Sequence, residues 1–365
     1  WASGGSRPPL GAGRMVVSAL HCASLATMCM ALGVFLYEGI TYNVVFLGKV
    51  LPLVGKGSWT YLFFLLFNTV WGLALACYLR AHLADPGAVP KRWQEFVSNV
   101  GDALPIAPAR PEWQPGKATF CKKCERTRPE RAKHCKVCEK CILRMDHHCP
   151  WINNCVGFKN HKFFLLLGIY SLLASLTALA TSLPELVRCI GAVMRVENTG
   201  YGWEAELMET PDAFAFLIFG LLALFICVLL TPLLATHIPL ATQNLTTIED
   251  NYENMPNPFD QGNASGNIAQ IFGIYGWDWY FPVEPKRPLS DGVSFARSDE
   301  RLTAQRLTNL ATGSGLDYET EAEDLEPEEL WRMRFQVRTP SVMISEVVDG
   351  GPLSALARWW HGEVP

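Results

Sequence analysis

Charge is what this sequence has least of. Asp, Glu, Lys and Arg make up 18% of its 365 residues, and 49% are hydrophobic. Soluble domains carry about 25% charged residues. The deficit is concentrated in four stretches, 16–37, 59–79, 163–183 and 213–236, which contain no Asp, Glu, Lys or Arg at all. Each is long enough to cross the hydrocarbon, which takes about 20 apolar residues. Helices of a soluble core rarely run so far without a charge. An ordinary soluble enzyme is therefore excluded, and four transmembrane helices are expected. The first stretch is too long for a signal-peptide core and lacks a clear cleavage site, so it counts as a span. Trp1 is not a methionine, and a fragment or processed end is expected there.

Basic residues are also unevenly spread. Net charge is −4, which gives no reason to expect a nucleic-acid partner. The segment 117–162 nevertheless holds twelve Lys or Arg, whereas the loop 38–58 has two, Lys49 and Lys56. The loop 184–212 also has two, Arg188 and Arg195, against six acids. Basic loops stay on the cytosolic side. This orientation makes the middle segment and both termini cytosolic. It also implies that the Asn-X-Ser/Thr matches at Asn244 and Asn263, which follow the fourth span, carry no sugar.

The chain divides accordingly. Residues 1–15 form a cytosolic N-terminal segment, 16–79 the first two spans, and 80–120 a Pro-rich cytosolic linker. Residues 121–162 form a Cys/His-rich domain, 163–236 the last two spans, and 237–285 a cytosolic segment with turn signals and aromatic residues. Residues 286–365 read as a polar, partly disordered tail. Eight of its thirteen residues from Asp317 to Glu329 are acidic, as in a solvated stretch. The terminal "LSALARWWHGEVP" reads as a short amphipathic helix lying on a membrane. The expected fold is an α-helical integral membrane protein, with four transmembrane helices and a cytosolic two-zinc Cys/His-rich domain between helices 2 and 3.

Of twelve cysteines, seven fall in one short window: Cys121, Cys124, Cys135, Cys138, Cys141, Cys149 and Cys155. Three histidines join them: His134, His147 and His148. Disulfides are rare in the cytosol, so such a cluster reads as metal-binding. Zinc takes four tetrahedral Cys and His ligands. The spacing C-x2-C-x9-H-x6-C occurs twice, offset by fourteen residues. One copy is Cys121, Cys124, His134 and Cys141; the other is Cys135, Cys138, His148 and Cys155. Two closed Cys3His sites follow, and closed sites are structural. Structural zinc supplies about 10–16 kcal/mol of apparent folding energy in small modules. A segment with almost no aliphatic core needs that support.

Two titratable side chains are left over, His147 and Cys149, with Asp146 beside them. His148 cannot act as a base with one nitrogen on zinc and the other held by a neighbour. His147 can. A thiol is only slightly ionised at neutral pH, and an adjacent imidazole takes its proton or favours its anion. Asp146 would fix that imidazole's tautomer and stabilise its cation. Cys149 precedes the third span by fourteen residues, so the thiol lies near the membrane surface. Trp151 suits the water–lipid interface. A nucleophile so placed fits an acyl chain that resides in the bilayer.

These residues resemble a known family. "DHHCPW", Asp146 to Trp151, between spans two and three, looks like the DHHC-type protein S-acyltransferases, or palmitoyltransferases. "DPG" at Asp85 to Gly87, "TTIE" at Thr246 to Glu249, and "NPFDQGNASGNIAQIFG" at Asn257 to Gly273 resemble that family's flanking motifs. The resemblance covers roughly 15–285 and implies a two-step transfer. Cys149, polarised by Asp146 and His147, takes a long-chain acyl group from acyl-CoA. It then passes the group to cysteines of membrane-associated protein substrates. By the same resemblance, Trp151 lies near the acyl head, Thr247 contacts the active site, and Asn267 braces the segment after span four. The setting would be an endomembrane (Golgi or ER) or the plasma membrane.

Two other readings stay open on the residues. One is a membrane-anchored zinc scaffold in which Cys149 is idle. The other is a ubiquitin ligase with cross-braced zinc sites, although the ligand order lacks that class's central C-H-C-C cluster. Neither needs a free Cys beside a free His.

Overall fold

The computed structural model describes residues 10–193, 210–298 and 326–337. Among the described residues, four helical segments are long and apolar enough to cross a membrane: Ala19–Leu53, Gly57–Leu83, His161–Gly191 and Pro211–Thr242. The chain is thus a multi-pass membrane protein. Its long helices are α1 (Leu10–Ile40), α2 (Thr60–Leu83), α4 (His161–Val193) and α5 (Thr210–Thr242). Each outruns its charge-free stretch. A charge marks where hydrocarbon ends, not where helical hydrogen bonding ends. Lys162, for example, sits in the first turn of α4, fully buried, because its Nζ donates to the carbonyls of Asp278 (2.6 Å) and Val283 (2.9 Å).

The loop expected at 38–58 is helical as far as Leu53, and only a short turn at 54–56 remains. Helix α1 continues as a wider π-helical stretch, Thr41–Val50, and a last turn, Leu51–Leu53. Tyr42, Val45, Phe46, Leu47, Val50 and Leu51 are all buried there. The Tyr42 ring stacks on Phe67 of α2 with centroids 3.9 Å apart. The two lysines that suggested a loop are paired instead, Lys49 with Asp212 (2.6 Å) and Lys56 with Glu185 (2.7 Å). The loop expected at 184–212 is likewise helical as far as Val193. Residues 194–209 lie outside the described part.

Helix α4 packs against both α2 and α5. One core cluster joins Tyr42, Phe46, Phe67, Phe216 and Phe219. A second joins Cys77, Tyr78 and Ala81 of α2, Phe163 and Phe164 of α4, and Ala241 of α5 with Cys149, Ile152 and Val156. The second cluster seats the Cys/His-rich domain on the helix ends.

Between α2 and α4 lie a short amphipathic helix α3 (Lys91–Val100) and seven short strands. These are β1 (Ile106–Ala107), β2 (Ala118–Cys121), β3 (Arg126–Arg128), β4 (Lys133–Cys135), β5 (Lys140–Ile142), β6 (His147–Cys149) and β7 (Asn154–Val156). β1 pairs parallel with β2, and β2–β3, β4–β5 and β6–β7 form three antiparallel hairpins in one register. Thr119 faces Arg128, Lys133 faces Ile142, and His147 faces Val156. Each pair is the previous one plus fourteen. The two-copy ligand spacing therefore sits on a three-copy backbone. Glu125 and Glu139, one residue past each C-x2-C, repeat the same left-handed φ of 52°.

The tail from 286 is less solvated than its composition suggests. Val293 and Phe295 are buried, and a short helix α7 (Pro327–Arg334) buries Trp331, with Phe335 after it, against Trp93 and Phe96 of α3. Two acids of the acidic run, Glu328 and Glu329, begin α7 and Arg332 and Arg334 end it. That arrangement suits the helix dipole. The rest of the run and the terminal amphipathic segment fall in 299–325 and 338–365, outside the described residues.

Candidate active site and metal clusters

The first two hairpins and the third bring together eight donors in two groups. Cys121, Cys124, His134 and Cys141 form one, and Cys135, Cys138, His148 and Cys155 form the other. These are the two sets the spacing predicts. Donors about 2.3 Å from a tetrahedral centre stand about 3.8 Å apart for sulfur pairs and about 3.5 Å for sulfur and nitrogen. The sulfurs of Cys124 and Cys141 are 3.7 Å apart, and those of Cys138 and Cys155 are 3.5 Å apart. His134 Nδ1 lies 3.2–3.9 Å from its three sulfurs, and His148 Nδ1 lies 3.4–3.8 Å from its own. The donor sets fit a tetrahedral, thiolate-bound metal ion.

Cys149 belongs to neither group. It ends β6 and occupies the position in the third hairpin that Cys121 and Cys135 occupy in the first two. Its partner three residues on is Ile152, where the others have Cys124 and Cys138. Cys149 is buried, 5% exposed, and reaches an apolar cavity of ≈ 400 Å³ between the membrane helices. Met30, Ala31, Val34 and Phe35 of α1, Gly168 and Ser171 of α4, and Leu222 and Phe225 of α5 line its walls. Trp151, 41% exposed, stands at the rim.

The third hairpin is tied to the end of α2. Asn154 Nδ2 donates to the carbonyls of Ala81, His82 and Ala84 at 2.9–3.1 Å. Tyr78 donates to the Trp151 carbonyl (3.0 Å), and His82 Nδ1 meets that of Ile152 (2.7 Å). The Asp85–Gly87 turn connects α2 to the domain. Asp85 accepts from the Gly87 and Ala88 N–H groups, and the Gly87 carbonyl accepts from Leu143 N (2.7 Å). Gly87 has φ 103°, which disfavours a side chain.

Next to Cys149, His147 Nδ1 is 2.5 Å from Asp146 Oδ2. Asp146 is buried and accepts from the Thr247 N–H through Oδ1 (2.7 Å), while Thr247 Oγ1 donates to the Asp146 carbonyl (2.9 Å). Burial opposes a charge on His147, but the Asp146 bond and then the neighbouring Cys149 outweigh it, and its pKa is pushed up to about 9. Burial also opposes ionisation of Asp146. The His147 hydrogen bond, the charges of His161 and His147, and the Thr247 N–H overcome it, holding the carboxyl well below the usual carboxylate range. The arrangement is a thiol beside an imidazole that is in turn held by a carboxylate, facing an apolar space.

Asn267 lies away from that cavity. Its Oδ1 accepts from Gln261 N (2.8 Å), and its Nδ2 donates to the Thr242 carbonyl (2.9 Å) and Asp260 Oδ1 (2.8 Å). It joins the end of α5 to helix α6 (Ala264–Phe272). Asn244, in the first glycosylation match, is fully buried. It accepts from Arg144 (3.0 Å) and Arg131 (3.3 Å) and donates to the Phe259 carbonyl (2.8 Å). Asn263, in the second, caps α6 by accepting from Gly266 N.

Three residues were not singled out from the sequence. His237 of α5 brings Nδ1 to 3.8 Å from Asp146 Oδ2, with its ring 5.6 Å from that of His147. It stands one residue past the charge-free stretch 213–236, which assigns it to the cytosolic segment, whereas the helix runs on through it. His161 is buried against Arg144 (3.1 Å). Ser24 of α1 reaches His148 Nε2 (3.2 Å), and nothing in a serine within an apolar run marks it.

The sequence profile of the family described as DHHC palmitoyltransferase matches residues 114–254, which contain both metal clusters, Cys149 and Thr247. Palmitoyltransferase ZDHHC20 of Homo sapiens is 38% identical over 213 residues, 56% of this chain and 53% of that protein. Palmitoyltransferase ZDHHC20-B of Danio rerio is 34% identical over 212 residues, 56% and 60% of the two chains. The probable protein S-acyltransferase 14 of Arabidopsis thaliana is 30% identical over 269 residues, 67% and 80% of the two chains. The chain thus spans little more than half the length of the two animal relatives, and four fifths of the plant one.

Proposed function

Because this chain belongs to the DHHC palmitoyltransferase family, we propose that it moves a long-chain acyl group, palmitoyl foremost, from acyl-CoA to cysteines of membrane-associated proteins. The observation that carries the reading is Cys149: a thiol outside both metal clusters, beside the His147–Asp146 pair and open to an apolar cavity.

The acyl chain lies in that cavity, where each buried CH2 contributes about 0.8 kcal/mol. The thioester head then meets Cys149 at the cytosolic rim, beside Trp151. His147 removes the thiol proton as the sulfur attacks the carbonyl carbon. The bond from that carbon to the CoA sulfur breaks, and CoA leaves with the proton from His147. Asp146 keeps the imidazole in the tautomer that receives the proton at the nitrogen facing Cys149, and supports its charge. In the second step a substrate cysteine gives its proton to His147 and attacks the Cys149 thioester. The acyl–Cys149 bond breaks and the Cys149 thiol is restored. Thr247 holds Asp146 in place throughout, and Asn267 acts at a distance by bracing α5 against α6.

The two donor sets suit zinc, which supplies no reactive position when all four ligands are protein side chains. Cys121, Cys124, His134 and Cys141 would hold one ion, and Cys135, Cys138, His148 and Cys155 the other. Their part is to hold the hairpins on which Cys149 sits. The basic surplus of 117–162 favours the cytosolic side for the hairpins and both termini, in an endomembrane or the plasma membrane.

The test is direct. Detergent-purified protein is incubated with a labelled long-chain acyl-CoA. Label should attach, and neutral hydroxylamine should release it. A Cys149→Ser variant that labels as wild type does would refute the nucleophile, and an unlabelled wild type would refute the reaction.

A further inference from the structure

His148 is held from both sides. Its Nδ1 faces the sulfurs of Cys135, Cys138 and Cys155. Its Nε2 is 3.2 Å from the hydroxyl of Ser24, 124 residues away on the first membrane helix. Ser24 is 3% exposed. We propose that Ser24 is a positioning residue for the second metal cluster, through which α1 fixes the ring of His148 and so the hairpin that carries Cys149. The inference rests on the proposed zinc sites and goes beyond them.

The chemistry follows from the ring. A neutral imidazole that binds metal through Nδ1 must carry its proton on Nε2. That half-buried N–H needs an acceptor, and the Ser24 hydroxyl is the one it meets. Partners of this kind fix a metal-binding histidine's tautomer and ring plane, and their loss costs about 10–100-fold in metal affinity. His148 lies between His147 and Cys149 in the same three-residue strand. A turn of its ring therefore displaces the two groups that do the chemistry.

The location on α1 gives the contact a further consequence. Met28 and Ala31, one and two turns on from Ser24, pack in the cluster that contains Cys149. Ala31 and Phe35 then line the cavity. Ser24 itself does not line it. One helix face thus bonds a metal ligand at one end and walls the acyl site at the other, which fixes the cavity relative to the nucleophile.

The test uses the isosteric pair Ser24→Thr and Ser24→Val in the full chain, which share a shape and differ by the hydroxyl. Zinc content is measured by metal analysis, and retention by competition with a chromogenic chelator. Wild type and the Thr variant should hold two ions equally well. The Val variant should hold one as wild type does and release the other at about 10–100-fold lower chelator concentration. Equal retention of both ions by the Thr and Val variants would overturn the inference. A wild type without two ions would instead refute the zinc reading on which it rests. If the Val variant fails to fold while Thr folds, metal retention is read on Ser24→Ala, whose smaller side chain fits the same space, against the same two outcomes.

Discussion

Glu249, the last residue of "TTIE", should matter for stability before it matters for chemistry. Its carboxylate takes both arms of Arg131, Oε1 from Nε at 2.8 Å and Oε2 from Nη2 at 2.7 Å, and Oε2 also accepts from Thr246 N at 3.1 Å. Both side chains are nearly sealed, 1% and 2% exposed. Arg131 lies between the rings of Phe259 and Phe295, 4.8 Å from each centroid. Glu249→Gln removes the charge and keeps the volume. Arg131 is then left buried without its carboxylate, with Arg144 as a second buried cation nearby. Breaking a buried pair from one side costs about 3–5 kcal/mol. At about 2–4 °C per kcal/mol, the apparent melting temperature should fall by roughly 6–20 °C.

The double variant Arg131→Met/Glu249→Leu separates pairing from packing. Replacing both partners by apolar groups is often neutral, so it should melt above the Glu249→Gln single variant. The pH dependence has a definite sign. Burial raises the Glu249 pKa, but Arg131 lowers it further, so the folded value is below the unfolded one. The stabilisation is complete above the unfolded value and is lost as pH falls through the folded value. Acid should therefore narrow the gap between wild type and Glu249→Gln. The assay is fluorescence-monitored unfolding in detergent at several pH values. A Glu249→Gln protein that melts with wild type at neutral pH would refute the reasoning.

Other perturbations probe the site. His147→Ala should slow acyl-enzyme formation by about 100-fold or more in a single-turnover labelling assay. Because Asp146 helps hold the His147 pKa up near 9, Asp146→Asn should move the acid limb of the rate profile, along which His147 loses its proton and becomes the base, to lower pH; an unmoved limb would remove Asp146 from that role. Cys149→Ser should still contain two zinc ions by metal analysis, while Cys135→Ala should lose zinc and fold poorly. Ile152→Cys should give Cys149 the C-x2-C neighbour that the first two hairpins have, so added zinc or mild oxidant should block acylation of that variant and spare wild type.

The two metal clusters were legible because coordination chemistry writes itself into side-chain identity and spacing. The span count was legible for a similar reason, since hydrocarbon excludes charge. Where each helix ends was not. Lys49 and Lys56 read as loop charges and Lys162 lies just outside the third charge-free stretch, yet each is satisfied by a partner that only the fold brings near. The tail was misjudged on composition, because Trp331 and Phe335 are two side chains in a polar stretch, and their burial depends on Trp93 more than two hundred residues away. His237 reads as one residue outside the last span, because the charge-free stretch stops short of where the helix ends. Ser24 left no trace.

The third hairpin explains why the spare thiol could be found by counting but not accounted for. Strand pairing is made by backbone groups, so the fourteen-residue register that puts His147 opposite Val156 needs no particular side chain. In the first two copies the metal demands Cys at the end of one strand and again three residues later. In the third, Ile152 fills the later position and packs beside Cys149 in an apolar cluster. One backbone unit, used three times, places its first cysteine in a metal-ligand set twice and outside both sets once. Ile152, Lys162 and Ile169 stand where a third copy of the pattern would need Cys, His and Cys, so Cys149 has no donor set of its own, while His148 and Cys155 tie its hairpin to the second set.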